Sequence, residues 1–176
     1  LFPPRPSFYI SINVAAEHFK TLNIIDDIRQ IWLPAHPMPS LMLELTERTA
    51  LSAIQYDQIR TLKDMGIMLA IDDFGTGHSS FSHIMDYPLD CIKLDCDFVQ
   101  RMNTEPAILA IVESIGILGQ KLSIDIIAEG VETEQQRQTL CEAGFHIGQG
   151  YLFSRAVESQ RVPELLQAMP QLVDGR

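Results

Sequence analysis

Residues 67–77 read IMLAIDDFGTG, and this stretch combines an apolar run with an abrupt polar ending. Alternate side chains of a strand lie on one face, so Ile67, Leu69 and Ile71 would form a single apolar face. The opposite face ends in Asp72, the first residue of an Asp-Asp pair that two glycines soon follow. The pattern therefore predicts a buried strand whose carboxyl end carries acidic groups and runs into a turn.

The same pattern recurs in other short runs, which are separated by amphipathic stretches with helical periodicity. The strand candidates are FYISIN at 8–13, LMLELT at 41–46, IMLAID at 67–72, CIKLD at 91–95, IDIIAE at 124–129 and IGQGYL at 147–152. The helical patterns cover roughly 15–32, 50–65, 79–86, 98–119, 133–143 and 160–172. Strands that alternate with helices through short connections indicate a parallel sheet.

The placement of polar residues distinguishes two parallel-sheet folds. A doubly wound sheet is apolar on both faces, whereas here one face is apolar and the other ends in polar groups at the carboxyl end of nearly every strand. This predicts an α/β fold of the (β/α) TIM-barrel type, in which groups from several strands converge on one mouth. Only about six βα units are present, so we expect an incomplete barrel that lacks about seventy residues of a typical one, most simply on the amino-terminal side.

Composition and charge limit the classes of function. The chain has 176 residues, 46% hydrophobic and 20% charged, which predicts one globular domain over 1–176, with 1–7 as a linker. The net charge of −10 argues against DNA or RNA binding, so a phosphate would be met through metal ions held by carboxylates. Three cysteines without a CxxC pair favour a reducing, cytoplasmic setting.

Oxygen-bearing side chains at the predicted strand ends point to hard cations such as Mg²⁺ or Mn²⁺. The candidate site residues are Asn13, Glu44, Glu47, Asp72, Asp73, Lys93, Glu129, Glu132 and Gln149. Adjacent aspartates resist joint ionisation unless a cation is present, and bridging carboxylates can hold two metal ions about 3.5–4 Å apart. The histidines show no zinc-site spacing.

Each candidate also has a purely structural interpretation. These are a helix cap for Asn13, a polar turn for Asp72 and Asp73, a buried ion pair between Lys93 and Glu129, solvated helix starts for Glu47 and Glu132, and backbone pairing for Gln149. These structural interpretations are less convincing for the whole set than for any single residue. Five of the candidates fall at strand ends on the same side of the sheet, and separate structural roles would not explain that coincidence.

Five motifs occur in order and carry a resemblance to a known family. They are ELTE at 44–47, IDDFGTGHSS at 71–80, IKLD at 92–95, AEGVET at 128–133 and QGYLF at 149–153. Together they closely resemble the EAL family of bacterial cyclic di-GMP phosphodiesterases. The resemblance extends from about Phe8 to Phe153.

The resemblance implies a two-metal site that uses Mg²⁺ or Mn²⁺. It implies that Asn13, Glu44 and Asp72 are metal ligands, with Asp72 bridging the two ions. Asp73 and Glu129 match ligands of the second ion.

Further roles follow from the same resemblance. Lys93 matches the lysine that contacts the hydrolytic water, so Lys93, Glu129 and Asp73 are the expected catalytic residues. Glu47 matches the glutamate that supports the loop at 73–80 and couples metal binding to dimerisation. Gln149 matches a substrate-binding glutamine, and Glu132 is expected to support the site without touching the metal. The implied reaction opens one phosphodiester bond of cyclic di-GMP and yields linear pGpG.

Several positions depart from the family pattern. The Glu-Ala-Leu signature is absent, together with the first two strands of the family fold and the glutamate ligand on the second. His78 replaces the usual tyrosine, Cys96-Asp97 replaces Arg-Ser, and Arg155-Ala156 lacks the common proline.

The resemblance also implies a cytoplasmic homodimer with an amino-terminal sensory or membrane region in the parent protein. The alternative is a catalytically inactive cyclic di-GMP receptor or protein-interaction module derived from the same fold.

Overall fold

A computed structural model describes residues 8–20, 23–32, 40–46, 56–75 and 87–168. Within them, six strands form one sheet. The strands are β1 (Tyr9–Asn13), β2 (Ser40–Thr46), β3 (Met68–Phe74), β4 (Cys91–Leu94), β5 (Asp125–Ala128) and β6 (Ile147–Gly148). All neighbouring strands are parallel, and their order in the sheet follows the chain.

This strand order confirms the predicted fold class. Each strand lies beside its predecessor, so the sheet has no reversal of strand order of the kind that a doubly wound sheet requires. Six strands with helices between them form part of a (β/α) barrel, which has eight strands when closed. The carboxyl ends of all six strands therefore lie at one end of the sheet.

Helices connect the strands. The α-helices are α1 (Ala16–Lys20), α2 (Asn23–Asp27), α3 (Tyr56–Asp64), α4 (Cys96–Arg101), α5 (Pro106–Leu122), α6 (Glu134–Glu142) and α7 (Val162–Ala168). Residues Ile28–Trp32 form a π-helical segment and Ser159–Arg161 a 3₁₀ turn. Among the described helices, none has the length and apolar character needed to cross a membrane.

Some predicted boundaries were wrong. The helix predicted over 98–119 is two helices, because α4 ends at Arg101 and α5 starts at Pro106, whose missing N–H costs nothing at a first helical position. The strand predicted over 147–152 ends at Gly148, since the next residues turn back onto the chain after β5. The short helix predicted over 79–86 lies outside the described residues.

The hydrophobic core lies mainly between the sheet and the helices. Leu43 and Leu69 are fully buried in one cluster with α1, α2 and α3. Leu94 and Ala128 are buried in a second cluster that includes residues of α4, α5 and α6. The inner face of the sheet has its own small apolar layer, formed by Met42, Ala70, Cys91 and Ile127. The alternation predicted from the sequence is therefore confirmed for β2 to β5.

Strand β1 is an exception to this burial. Its outer side chains Ile10 and Ile12 are 38% and 43% exposed, and the preceding Phe8 is 40% exposed. The expectation that helices cover this face was wrong for β1, because β1 is the first strand of the sheet and no helix precedes it among the described residues to pack on that side.

Asp90 fixes the amino-terminal ends of three strands relative to one another. Its Oδ2 accepts a hydrogen bond from the Leu69 N–H at 2.8 Å, and its Oδ1 accepts one from Lys63 Nζ at 2.7 Å. Its backbone carbonyl accepts the Asp125 N–H at 3.1 Å. Asp90 thus connects α3, β3 and β5. These contacts help to hold the register of the strands, and the register sets the positions of the residues at the carboxyl ends of the same strands.

Replacing this carboxylate should destabilise the fold. We expect Asp90→Ala to lower the free energy of unfolding by about 2 kcal/mol, because Lys63 Nζ and the Leu69 N–H both lose their acceptor. Asp90→Asn keeps one oxygen acceptor and should lose less. Urea unfolding of the three proteins measures the difference, and equal stability of Asp90→Ala and the wild type would contradict this role.

Candidate metal centre

Lys93 lies at the centre of a group of carboxylates from three other strands. Its Nζ is 2.7 Å from Glu44 Oε2, 2.9 Å from Asp72 Oδ1 and 2.6 Å from Glu129 Oε1. Glu44 belongs to β2, Asp72 to β3, and Glu129 directly follows β5. The polar face predicted from alternation therefore brings these four groups together at the carboxyl ends of the strands.

Burial makes these interactions strong. The Lys93 side chain is 5% exposed, and the three carboxylate side chains are 7–15% exposed. Desolvation by itself lowers the pKa of Lys93, but the hydrogen bonds to Glu129, Glu44 and Asp72 outweigh it, so the net pKa is raised. The lysine is therefore a fixed positive charge inside the sheet.

Glu129 is affected differently. Burial raises the pKa of its carboxyl group, and the hydrogen bond and charge of Lys93 offset only part of this shift. Gln149 also donates a hydrogen bond from Nε2 to Glu129 Oε1 at 2.6 Å. The cation of Lys93 and the amide of Gln149 thus both bind the same oxygen of the Glu129 carboxylate, Oε1.

The Asp-Asp pair ends β3 in an unusual backbone conformation. Asp73 has a φ of 54°, in the left-handed region that residues other than glycine rarely adopt. Its N–H donates to Asp72 Oδ1 at 3.1 Å. The pKa of Asp73 is raised, first by desolvation and then by the neighbouring charge of Asp72. Two carboxylates are thereby held close together, which is costly without a cation.

Three of these carboxylates have the arrangement of a metal site. One carboxylate oxygen from each of Asp72, Asp73 and Glu129 lies within 4.8 Å of the others. Carboxylate oxygens are hard donors, and Mg²⁺, Mn²⁺ and Ca²⁺ prefer such ligands. The donor set therefore fits the divalent cations predicted from the sequence.

Asn13 and Glu44 lie beside each other across β1 and β2. They are register partners, and the Val14 N–H donates to the Glu44 carbonyl at 3.0 Å. The Asn13 side chain is exposed at the same end of the sheet. It is thus placed at the mouth with the carboxylates, in a position open to a ligand.

The turn that carries Gln149 packs tightly against the chain after Glu129. The Gln149 carbonyl accepts the Val131 N–H at 3.0 Å, and the Val131 carbonyl accepts the Leu152 N–H at 2.9 Å. A Cβ on Gly150 would lie 2.2 Å from the Val131 carbonyl oxygen, so this position needs glycine. Gln149 is therefore fixed relative to Glu129 by backbone contacts as well as by its side chain.

Two predicted residues lie apart from this group. The Glu132 side chain is exposed. Among the described residues, the polar contact made by Glu132 is that of its backbone N–H, which donates to Gln136 Oε1 at 2.8 Å. Glu47 and most of the loop at 73–80 lie outside the described residues.

One supporting residue was missed at the sequence level. Gln136 is 9% exposed; its Oε1 accepts the Thr133 N–H at 2.9 Å, and its Nε2 donates to the Val99 carbonyl at 3.4 Å. Thr133 and Gln136 form a capping box at the start of α6. The spacing of a threonine and a glutamine three residues later is the signal that could have identified it.

Comparisons with known proteins agree with this geometry. The EAL domain model matches residues 3–156. A probable cyclic di-GMP phosphodiesterase of Escherichia coli, PdeD, is 40% identical over 166 residues, which is 94% of this chain and 31% of that protein. The chain thus spans about a third of the length of this curated relative.

Solved structures show the same similarity. The PaMucR phosphodiesterase in complex with c-di-GMP has a TM-score of 0.79 and 34% identity, covering 88% of this chain and 64% of that one. Klebsiella pneumoniae BlrP1, in a complex with calcium and cyclic di-GMP, has a TM-score of 0.72 and 28% identity, covering 85% of this chain and 39% of that one. The chain is a member of the EAL domain family.

Proposed function

We propose that this protein is a metal-dependent cyclic di-GMP phosphodiesterase that hydrolyses its substrate to linear pGpG. The observation that carries the proposal is the group of buried carboxylates around Lys93 at the carboxyl ends of the strands. In (β/α) barrels, this end of the strands is where active sites are found. Membership of the EAL domain family, and the names of the similar proteins, support the choice of substrate.

Five oxygen-donor residues would hold the metal ions, which we propose to be Mg²⁺ or Mn²⁺. They are Asn13, Glu44, Asp72, Asp73 and Glu129. Their oxygens suit hard cations, and the close group formed by Asp72, Asp73 and Glu129 supports at least one cation position. Bound divalent cations would supply an activated water and stabilise the charge on the phosphoryl oxygens. A chain with a net charge of −10 could bind an anionic substrate in this way.

The chain's own residues would orient the reacting groups. The three N–H groups of Lys93 hold Glu44, Asp72 and Glu129 in fixed positions. Once bound cations neutralise these carboxylates, one N–H would turn from a carboxylate to donate a hydrogen bond to the attacking water. That water would form a bond to phosphorus while the bond to the ribose 3′ oxygen breaks. The attacking water would release one proton to solvent as the bond to phosphorus forms, and the 3′ oxygen would take up one proton from solvent as it leaves, so the proton count is unchanged. Gln149, bound to Glu129, would contact the substrate beside this point.

The alternative proposal is a receptor or interaction module that binds without turnover. The four-residue group around Lys93 favours the enzyme, because burying three carboxylates near one another has no purpose in a surface used only for docking. The homodimer, the cytoplasmic location and the sensory region stay predictions.

The first test of the enzyme proposal is Glu129→Gln. We expect kcat for pGpG formation to fall by at least roughly a hundredfold, because the variant removes a negative charge from the proposed metal site. Mn²⁺ affinity should fall as well, as calorimetry would detect. Glu113→Gln is the matched control: it makes the same chemical change on an exposed side chain of α5, outside the candidate site, and it should leave both quantities unchanged. Undiminished turnover of Glu129→Gln would remove Glu129 from the site.

A second test uses Lys93→Met in the absence of metal. The variant leaves Glu44, Asp72 and Glu129 without a counter-charge, so we expect the metal-free protein to lose about 3–5 kcal/mol of stability. Mn²⁺ should raise the melting temperature of this variant more than that of the wild type, because the cation replaces the missing charge. Lys121→Met, at an exposed position in α5, is the control. Equal melting temperatures of Lys93→Met and the wild type in EDTA would refute this role.

A further inference from the structure

Strand β3 contains one extra residue at the point where it reaches the metal centre. The pairing between β3 and β4 shifts by one residue between Ile71 and Phe74. Asp72 and Asp73 of β3 therefore both stand opposite the single residue Lys93 of β4. An insertion of this kind is a β-bulge, which bends the strand and changes the direction of the side chains that it carries.

The bulge brings two consecutive carboxylates to the same side of the sheet. In a regular strand successive side chains point to opposite faces, so Asp73 would face the helices while Asp72 faces the metal centre. Instead, one oxygen from each lies within 4.8 Å of the other and of an oxygen of Glu129. The left-handed backbone of Asp73, with a φ of 54°, accompanies this redirection. Such a conformation is strained for a residue with a Cβ, and it persists only where the surrounding structure enforces it.

Phe98 of α4 fills the space into which the turn after Asp73 could relax. A Cβ on Gly75 would lie 2.8 Å from Cε2 and from Cζ of the Phe98 ring, so the edge of the ring lies directly against the Gly75 backbone. Between these residues, Phe74 resumes the pairing with Leu94 and packs against both core clusters. The turn is thus held on its far side by an aromatic ring, two residues after Asp73.

Phe98 is itself fixed relative to Lys93. Its N–H donates to the Asp95 carbonyl at 3.2 Å, and Asp95 Oδ1 accepts the Asp97 N–H at 2.8 Å. Asp95 directly follows β4, the strand that carries Lys93. The Phe98 ring is partly buried and packs against the second core cluster. The ring therefore connects the turn after β3 to the strand that carries the central lysine.

We propose that Phe98 is a positioning residue for the metal centre, an inference that rests on the proposed function. Its ring holds the turn from Asp73 to Gly75 in the strained conformation that keeps the Asp73 carboxylate beside Asp72 and Glu129. Without the ring edge, the turn relaxes, because relaxation relieves the backbone strain and separates two like charges. A divalent cation then loses one of its ligands.

Calorimetry of Mn²⁺ binding to the metal-free protein at its full natural length tests this role. Phe98→Leu removes Cε2 and Cζ, the ring atoms that lie against Gly75, and keeps an apolar side chain in the core. We expect the Mn²⁺ affinity to fall by roughly tenfold, as when a residue that orients a metal ligand is lost. An affinity equal to that of the wild type would overturn the role of Phe98.

Phe145→Leu is the matched control. Phe145 packs in the same core cluster as Phe98, but it precedes β6 and so lies at the opposite end of the sheet from the metal centre. This variant should lose thermal stability, as Phe98→Leu does, and should keep the Mn²⁺ affinity of the wild type. An equal loss of affinity in both variants would indicate a general effect of core packing and would contradict the inference.

A double-mutant cycle shows whether Phe98 acts through Asp73. Asp73→Ala removes the carboxylate that the ring is proposed to place. In this background Phe98→Leu should cause no further loss of Mn²⁺ affinity, because the ligand that it would displace is already absent. The same fold-change in both backgrounds would mean that Phe98 acts by another route, and the proposal would fail.

Melting temperatures in EDTA test the strain independently. Asp73→Gly and Asp73→Ala both remove the charge, but only glycine adopts a left-handed conformation without a steric penalty. We expect Asp73→Gly to melt about 2–4 °C above Asp73→Ala. Equal melting temperatures would refute a strained turn.

The outcomes separate this inference from the proposed function. If the wild type hydrolyses cyclic di-GMP with Mn²⁺ and Phe98→Leu binds Mn²⁺ equally well, the positioning role is wrong and the function stands. If the wild type neither binds Mn²⁺ nor hydrolyses cyclic di-GMP, both proposals are overturned.

Discussion

The ion pairs between Lys93 and three carboxylates are the interaction on which the candidate site depends. Glu44, Asp72 and Glu129 come from separate parts of the chain, and each would repel the others if the ammonium group were absent. Taking these charges out of water is expensive, so a single lysine that pairs with all three makes their burial possible. The parallel sheet supplies the geometry, because it brings the carboxyl ends of all its strands to one end.

The rest of the molecule maintains that geometry in two ways. At the amino-terminal ends of the strands, Asp90 joins β3 and α3 through its carboxylate and β5 through its backbone carbonyl, so the strands cannot slide past one another without losing these hydrogen bonds. At the opposite ends, the turn after β6 is pressed onto Val131, and Gln136 ties Thr133 to α4 through the Val99 carbonyl. The segment that carries Glu129 is thus held from both sides.

Much of the fold and part of the site could be predicted from the sequence. The period-two alternation identified each strand and its polar face, and the polar ends of β2 to β4 led to Glu44, Asp72 and Lys93. The break between α4 and α5 has a local signal, the helix start at Thr104, Glu105 and Pro106, although the helix predicted over 98–119 ran across it. The early end of β6 and the exposure of Ile10 and Ile12 were not anticipated. Both depend on which distant segments pack together, and local patterns carry no record of such packing.

The sequence by itself determined which segments have the hydrophobic period of a strand or of a helix, and which polar or charged residues stand at the carboxyl end of each strand. Both follow from the order of side chains along the backbone. The tertiary structure decided which of those ends meet. Lys93 and Glu129 are 36 residues apart by their numbering, and only the parallel pairing of β4 with β5 brings Nζ and Oε1 within 2.6 Å. The placement of Gln149 beside the Glu129 segment likewise follows from the packing of the turn on Val131. Distances of this kind depend on strand register, and register is fixed by the packing of the whole sheet.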